Sequence, residues 1–306
     1  MVRRLKKNHL LVVGGTGFIG YHLIKKVKKS NWHITSLSLK PPQNIRKVSR
    51  VRYVTADLSK RALLKKKLKH NYTHVVNAGG YSLYEYLKIK DGKRKLFNSH
   101  FLGLKNLLEI LELKYIKKFV QIGTADEYGD IKAPQRESDK EKPVNSYGKV
   151  KLLCTKYLMN LNKSLGFPAV VLRFFLTYGP KQDANRVVRQ TIDACLENKT
   201  FKASKGDALR DFCYIEDAIK SILLCLKSNK TSGHILNVGS GKPIKVKNII
   251  NLIRNKIRTG KIKFGSIDYR SGEIMTQYPD LKKIRKLINW RSKTSLNSGL
   301  NKTIII

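Results

Sequence analysis

The chain has 306 residues, 41% of them apolar, and a formal net charge of +42. Length and composition exclude a disordered chain and suit one α/β unit with a smaller lobe. The Lys and Arg runs are spread along the sequence with no separate basic arm, which points to a solvated basic surface and gives no reason to expect a nucleic-acid partner.

Cys154, Cys195, Cys213 and Cys225 form no CxxC or Cys/His spacing, so they are expected as reduced thiols of a cytoplasmic protein, with no metal site. The opening MVRRLKKNHLLVVGG has too short an apolar run for a secretory leader, and the closing TIII is too short for an anchor. No stretch reaches the length of a membrane span, so no membrane partner is expected.

In chain order, strands are predicted at 9–14, 33–39, 50–55, 73–79, 118–123 and 169–175, with a further one at 234–239. Helical stripes lie between them: Ile19, Leu23, Val27; then Phe101, Leu104, Leu108, Leu111; then Val150, Cys154, Tyr157, Leu161. This alternation predicts an α/β fold: a Rossmann, doubly wound parallel sheet with a smaller C-terminal substrate-binding lobe. The predicted boundaries are 1–175 for the dinucleotide domain, with strand 234–239 returning to it, and 176–306 for a discontinuous lobe with helices at 185–198, 216–227 and 246–258.

The first strand runs into Gly14-Gly15-Thr16-Gly17-Phe18-Ile19-Gly20, which opens the first helix. Glycines there let the backbone turn and approach a pyrophosphate, and the helix N-terminus stabilises the anion. An acid at the end of the second strand would bind the ribose 2′-hydroxyl of NAD. This chain has Ser38 and Lys40 instead, a hydroxyl and a cation that suit a 2′-phosphate, so NADP(H) is favoured over NAD(H). Asp57, after the third strand, is placed either to accept from the adenine amino group or to cap the next helix.

Tyr147 and Lys151 make a YxxxK spacing that puts both on one face of a helix. A free phenol, with a pKa of about 10, is a weak base near neutrality; a neighbouring ammonium favours its phenolate. Tyr147 then exchanges a proton with a hydroxyl while hydride moves to or from a nicotinamide.

These residues sit among GGTGFIG, ADL, NAG (77–79), NSHFLGLKNLLE (98–109), GTADEYG (123–129), YGKVK, YGP (178–180), RDFCYIED (210–217), NVGSGKP (237–243) and RSGE (270–273). The set resembles the extended short-chain dehydrogenase/reductases, the NAD(P)-dependent nucleotide-sugar epimerase, dehydratase and reductase group. The resemblance implies Thr124, Tyr147 and Lys151 as the catalytic set, with Thr124 bonding the reacting sugar oxygen and Lys151 holding the nicotinamide ribose. It implies Leu58, Asn77, Ala78 and Gly79 as further cofactor contacts beside the glycine loop. For the substrate it implies Asn98, Asp126, Arg210 and Arg270, the two arginines gripping the diphosphate. It further implies a homodimer.

A 4,6-dehydratase of this group carries Asp-Glu directly after the Thr; here Ala125 and Asp126 stand there, which disfavours dehydration. Loss of Thr124, Tyr147 or Lys151 would mark a non-catalytic binding module, and all three are present. The missing acid near Ser38, and the likeness of GTADEYG to reductases that make 6-deoxyhexoses, favour reduction of a nucleotide-linked 4-keto sugar for bacterial surface polysaccharide. The alternative is a 4-epimerase resembling UDP-glucose 4-epimerase. Leu176 stands where many relatives have Asn, so either the substrate pose or the nucleotide itself is expected to differ from the familiar epimerases.

Overall fold

The computed structural model describes residues 8–68, 71–81 and 90–304. Most of the opening basic segment and the last two residues lie outside them. Contacts divide the chain into two compact units. The first comprises Met1–Gly123, Lys149–Leu172 and Ile222–Ile235; the second comprises Thr124–Gly148, Arg173–Ser221 and Leu236–Ile306. The second thus takes 124–148, which the sequence reading had placed within 1–175.

Seven strands form the main sheet: β1 (His9–Val13), β2 (His33–Ser38), β3 (Arg52–Thr55), β4 (His74–Asn77), β5 (Lys118–Thr124), β6 (Ala169–Phe174) and β10 (His234–Val238), in the order β10-β6-β5-β4-β1-β2-β3. They are the seven strands expected, displaced by no more than two residues at either end. Near-continuous apolar runs such as Leu10–Val13 and Val170–Leu172 are buried on both faces, as a helix-covered parallel sheet requires. β1 lies in parallel register with β2 on one side and β4 on the other, Val13 opposite both Leu37 and Asn77. Strand order reverses there, so the loop after β1 opens at the topological switch point, where such sheets bind ligands.

Helix α1 (Phe18–Val27) follows that loop and buries Leu23, Ile24 and Val27. The second predicted stripe lies on a run of α3 (Gly92–Phe97), a π-helical turn (Asn98–Leu102) and α4 (Gly103–Ile110). Helix α5 (Ser146–Leu165) buries Lys151, Leu152, Cys154, Thr155 and Leu158. Of its expected stripe only Cys154 is fully buried; Val150, Tyr157 and Leu161 lie at the margin of that face.

In the second unit, β9 (Leu209–Tyr214) pairs with β7 (Leu176–Tyr178), β11 (Pro243–Lys245) and β13 (Thr276–Gln277), while β8 (Thr200–Lys202) pairs with β12 (Lys261–Lys263). Acidic side chains pin its loops. Asp211 accepts the Ser240 and Gly241 N–H groups, both at 2.6 Å. Asp217 accepts from Ser292 Oγ and the Lys293 and Thr294 N–H groups. Asp211 and Asp217 of the RDFCYIED segment therefore have structural work.

His74 is buried beside Lys117 and Lys118; burial first, and those two charges next, push its imidazole down to about 4. The unfolded chain takes up that proton near pH 6.5, so stability is lost as pH falls from there towards 4. His74→Gln keeps a polar partner for Thr73, whose hydroxyl lies 2.9 Å from Nδ1. The urea-unfolding free energy lost between pH 7 and pH 4.5 should be smaller in this variant by on the order of 2–3 kcal/mol. Equal losses in variant and wild type would remove His74 from the account. Among the described residues no helix is long and apolar enough to cross a membrane.

Candidate active site

The glycine loop is fixed by backbone geometry. Gly14 has φ +75°, and a Cβ there would lie 2.6 Å from the Ala78 carbonyl oxygen. A side chain is excluded on both counts, which keeps the backbone low between β1 and the end of β4. Gly17 is the N-cap of α1 and supplies no side-chain cap. A helix N-terminus offering backbone N–H groups, with no acid in its first turn, fits a dinucleotide pyrophosphate.

The neighbouring residues divide between lining and framework. Ser38 Oγ accepts the Thr16 N–H at 3.2 Å, and Lys40 is exposed. The hydroxyl assigned to a 2′-phosphate thus also braces the glycine loop. Asn77 spans β4 and β5, donating to Gln121 Oε1 at 2.9 Å while its own Oδ1 takes the Gly79 N–H. Asp57 closes a turn onto the Ser59 N–H, and Lys60, not Asp57, is the N-cap of α2 (Arg61–Lys67). The Leu58 carbonyl receives Asn106 Nδ2. Phe18 is buried, and Ile19 is half-buried.

Lys151 is 4% exposed, and its Nζ donates to the Ile122 carbonyl of β5. The ammonium is therefore anchored to the sheet one helical turn after Tyr147. Burial, and then the Lys151 charge, push His100 down to about 3, so that imidazole is neutral near pH 7. His100 bonds the Tyr81 carbonyl through Nε2 at 2.9 Å. Asn98 opens the π-helical turn and is only half-buried, whereas His100 is the residue which that turn buries. The sequence reading chose Asn98 and missed His100; the inserted residue of a π-turn shifts the inward face and leaves no trace in apolar spacing.

Within the second unit, Thr124 ends β5 and caps the turn Ala125–Glu127. Its N–H goes to Glu127 Oε1 at 2.9 Å, its hydroxyl donates to Asp126 Oδ2 at 3.0 Å, and its Oγ accepts the Asp126 N–H at 3.3 Å. Asn145 caps α5 by accepting the Gly148 N–H at 2.8 Å. A Cβ on Gly148 would sit 2.3 Å from the Asp126 carbonyl oxygen. Only glycine lets the first turn of α5 rest on the Thr124 turn; Tyr147, half-buried, precedes that glycine in the same turn.

Burial raises the Asp126 carboxyl above the usual carboxylate range, opposed by the Thr124 hydroxyl, Arg210, Asn145 and Arg186. Arg210, 8% exposed, pairs with Glu273 and also donates to the Leu209 carbonyl at 3.1 Å. Arg270 is exposed, and its carbonyl receives the Glu273 N–H. The RDF and RSGE segments therefore meet through Arg210 and Glu273. Arg186, Asn145, Glu127 and Arg173 were not found from sequence: Arg186 and Arg173 act on groups distant in the chain, and Asn145 and Glu127 serve local caps that apolar spacing does not mark.

A doubly wound parallel sheet with a glycine loop at its switch point is the fold of the extended short-chain dehydrogenase/reductases. The chain belongs to the NAD dependent epimerase/dehydratase family, which it matches over residues 10–239. It is 28% identical over 321 residues to a protein of Bacillus subtilis described as an uncharacterised UDP-glucose epimerase, YtcB, covering 96% of each chain. It is 27% identical over 309 residues to a putative UDP-glucose 4-epimerase of Methanocaldococcus jannaschii, covering 96% of this chain and 97% of that one. Among solved structures it is similar to Pal from Bacillus thuringiensis, with a TM-score of 0.87, 25% identity and 97% of both chains covered.

Proposed function

We propose that the protein is an NAD-dependent 4-epimerase of a UDP-linked hexose. The observation that carries the reading is the Thr124 turn seated against the start of α5, with Lys151 anchored one turn further on. That arrangement supports proton exchange at a single sugar hydroxyl. The relatives' names support epimerisation, and so displace the 4-ketoreductase that the sequence favoured.

NAD replaces the NADP(H) favoured from Ser38 and Lys40. Its support is the family description and the engagement of Ser38 with Thr16. The glycine loop would hold the pyrophosphate, and Lys151 would hold the nicotinamide ribose. Bound there, NAD would supply reversible hydride acceptance at sugar C4. Tyr147 takes the O4 proton and later restores it, Lys151 favours the phenolate by charge, and Thr124 bonds O4. Arg210, with Arg270 from the adjoining loop, would meet the diphosphate as guanidinium forks. Ala125, where a dehydratase has an acid, leaves no group at that position to protonate a leaving hydroxyl at C6.

Incubation with UDP-glucose and NAD should yield UDP-galactose by NMR, with lower turnover when NADP replaces NAD. NADPH oxidation with a nucleotide-linked 4-keto sugar, and no interconversion of UDP-hexoses, would overturn the reading in favour of a reductase.

A further inference from the structure

Thr124 has a single hydroxyl proton, and in this structure it is directed to Asp126 Oδ2. One of its lone pairs takes the Asp126 N–H. The hydroxyl is thus bound twice to the same acid, which leaves one lone pair of Oγ to face a substrate. A sugar hydroxyl meeting Thr124 in this state donates to it.

From that geometry we propose that Asp126 acts through Thr124 as a positioning residue that receives a relayed proton, a second route beside Tyr147. The proposal rests on the epimerase reading. In the relay the sugar O4–H bond breaks and its proton passes to Thr124 Oγ, while the proton already on Oγ passes to Asp126 Oδ2. The C4 hydride leaves to the nicotinamide dinucleotide of the proposed reaction, and every transfer reverses on the return step.

The surroundings of Asp126 suit a carboxylate that gains and loses a proton. Arg210 from β9 and Arg186, which precedes α6 (Val187–Leu196), are the charges acting on it, with Thr124 and Asn145 as neutral hydrogen-bond partners. Glu273 holds Arg210, so the pull of that cation is shared. Burial brings the carboxyl closer to neutral pH than an exposed aspartate, which makes it a better acceptor at working pH.

The test compares Tyr147→Phe with Tyr147→Phe/Asp126→Asn in UDP-glucose to UDP-galactose interconversion across pH. The single variant should keep a residual turnover whose acid limb follows one carboxyl. The double variant should lose at least about tenfold more and have no such limb. Equal residual rates and profiles in the two variants would overturn the relay while the epimerase reading stands. Absence of interconversion by the wild-type protein would overturn both.

A readout without cofactor or turnover comes from difference infrared titration of the free protein. A carboxylic C=O band titrating above the usual aspartate range should vanish in Asp126→Asn. It should titrate higher in Thr124→Val, because the hydroxyl that stabilises the carboxylate is gone. A band unchanged by Thr124→Val would contradict the coupling, and retained tight UDP binding in every variant checks that each is folded.

Discussion

Replacing Tyr147 with Phe should lower kcat for UDP-hexose interconversion by about 10²–10⁴-fold, the usual worth of a positioned acid–base group, with KM nearly unchanged. The ring volume is kept, the Asn145 cap and the Gly148 approach do not involve the phenol oxygen, and Lys151 stays on the Ile122 carbonyl. These framework contacts therefore survive, and what disappears is the group proposed to exchange the O4 proton. Steady-state kinetics with both UDP-hexoses, beside UDP binding by calorimetry, separate the two effects. Full turnover by the variant would remove Tyr147 from the chemistry. A large rise in KM with kcat preserved would make it a binding residue.

Glu127→Ala should destabilise the protein by roughly 3–5 kcal/mol, the cost of removing one partner from a buried ion pair. Arg173 and Glu127 are both fully buried, with Nε 2.9 Å from Oε2. The other guanidinium edge reaches Glu141 Oε1 at 2.7 Å, and the planar group lies 4.4 Å over the Tyr128 ring. Removing Glu127 leaves Arg173 with a partner that is itself partly exposed, and it strips the Thr124 N–H of its acceptor. Glu141→Ala, at the wetter end, should cost less, and Glu127→Gln should fall between because it can still accept from Thr124. Urea unfolding of the three variants gives the order. A Glu127→Ala change below about 1 kcal/mol would show that the pair contributes little beyond what water can replace.

The fold was legible because a parallel sheet buries both faces of its strands. Runs such as LLVV and VVL cannot be placed anywhere else, so all seven strands were found. The glycine loop was equally plain, since a strand, a glycine cluster and an apolar stripe occur in direct succession. Ser38 was only partly legible. A hydroxyl at the end of β2 matches a phosphate ligand by composition, and its bond to the Thr16 N–H is visible only in three dimensions.

The active-site surroundings were less legible for a similar reason. Arg173 and Glu127 stand 46 residues apart in sequence, and neither carries an apolar period that would mark it as buried. The pairing is set by β5 and β6 being neighbours in the sheet. Arg210 was identified by its motif but linked to Arg270, whereas the side chain it meets is Glu273. Asp126 was recognised as standing one place from a dehydratase acid. Its bond to Thr124 depends on the cap geometry of a three-residue turn that sequence spacing does not specify.

The measurement that bears most directly on the central claim follows deuterium placed at C4 of UDP-glucose. The protein, given NAD, should return UDP-galactose that keeps the deuterium at C4, with no net accumulation of reduced dinucleotide, because the hydride leaves and comes back beside Tyr147. Loss of the label to the dinucleotide pool, or a product reduced at C4 at the expense of added NADPH without any UDP-galactose, would contradict the account.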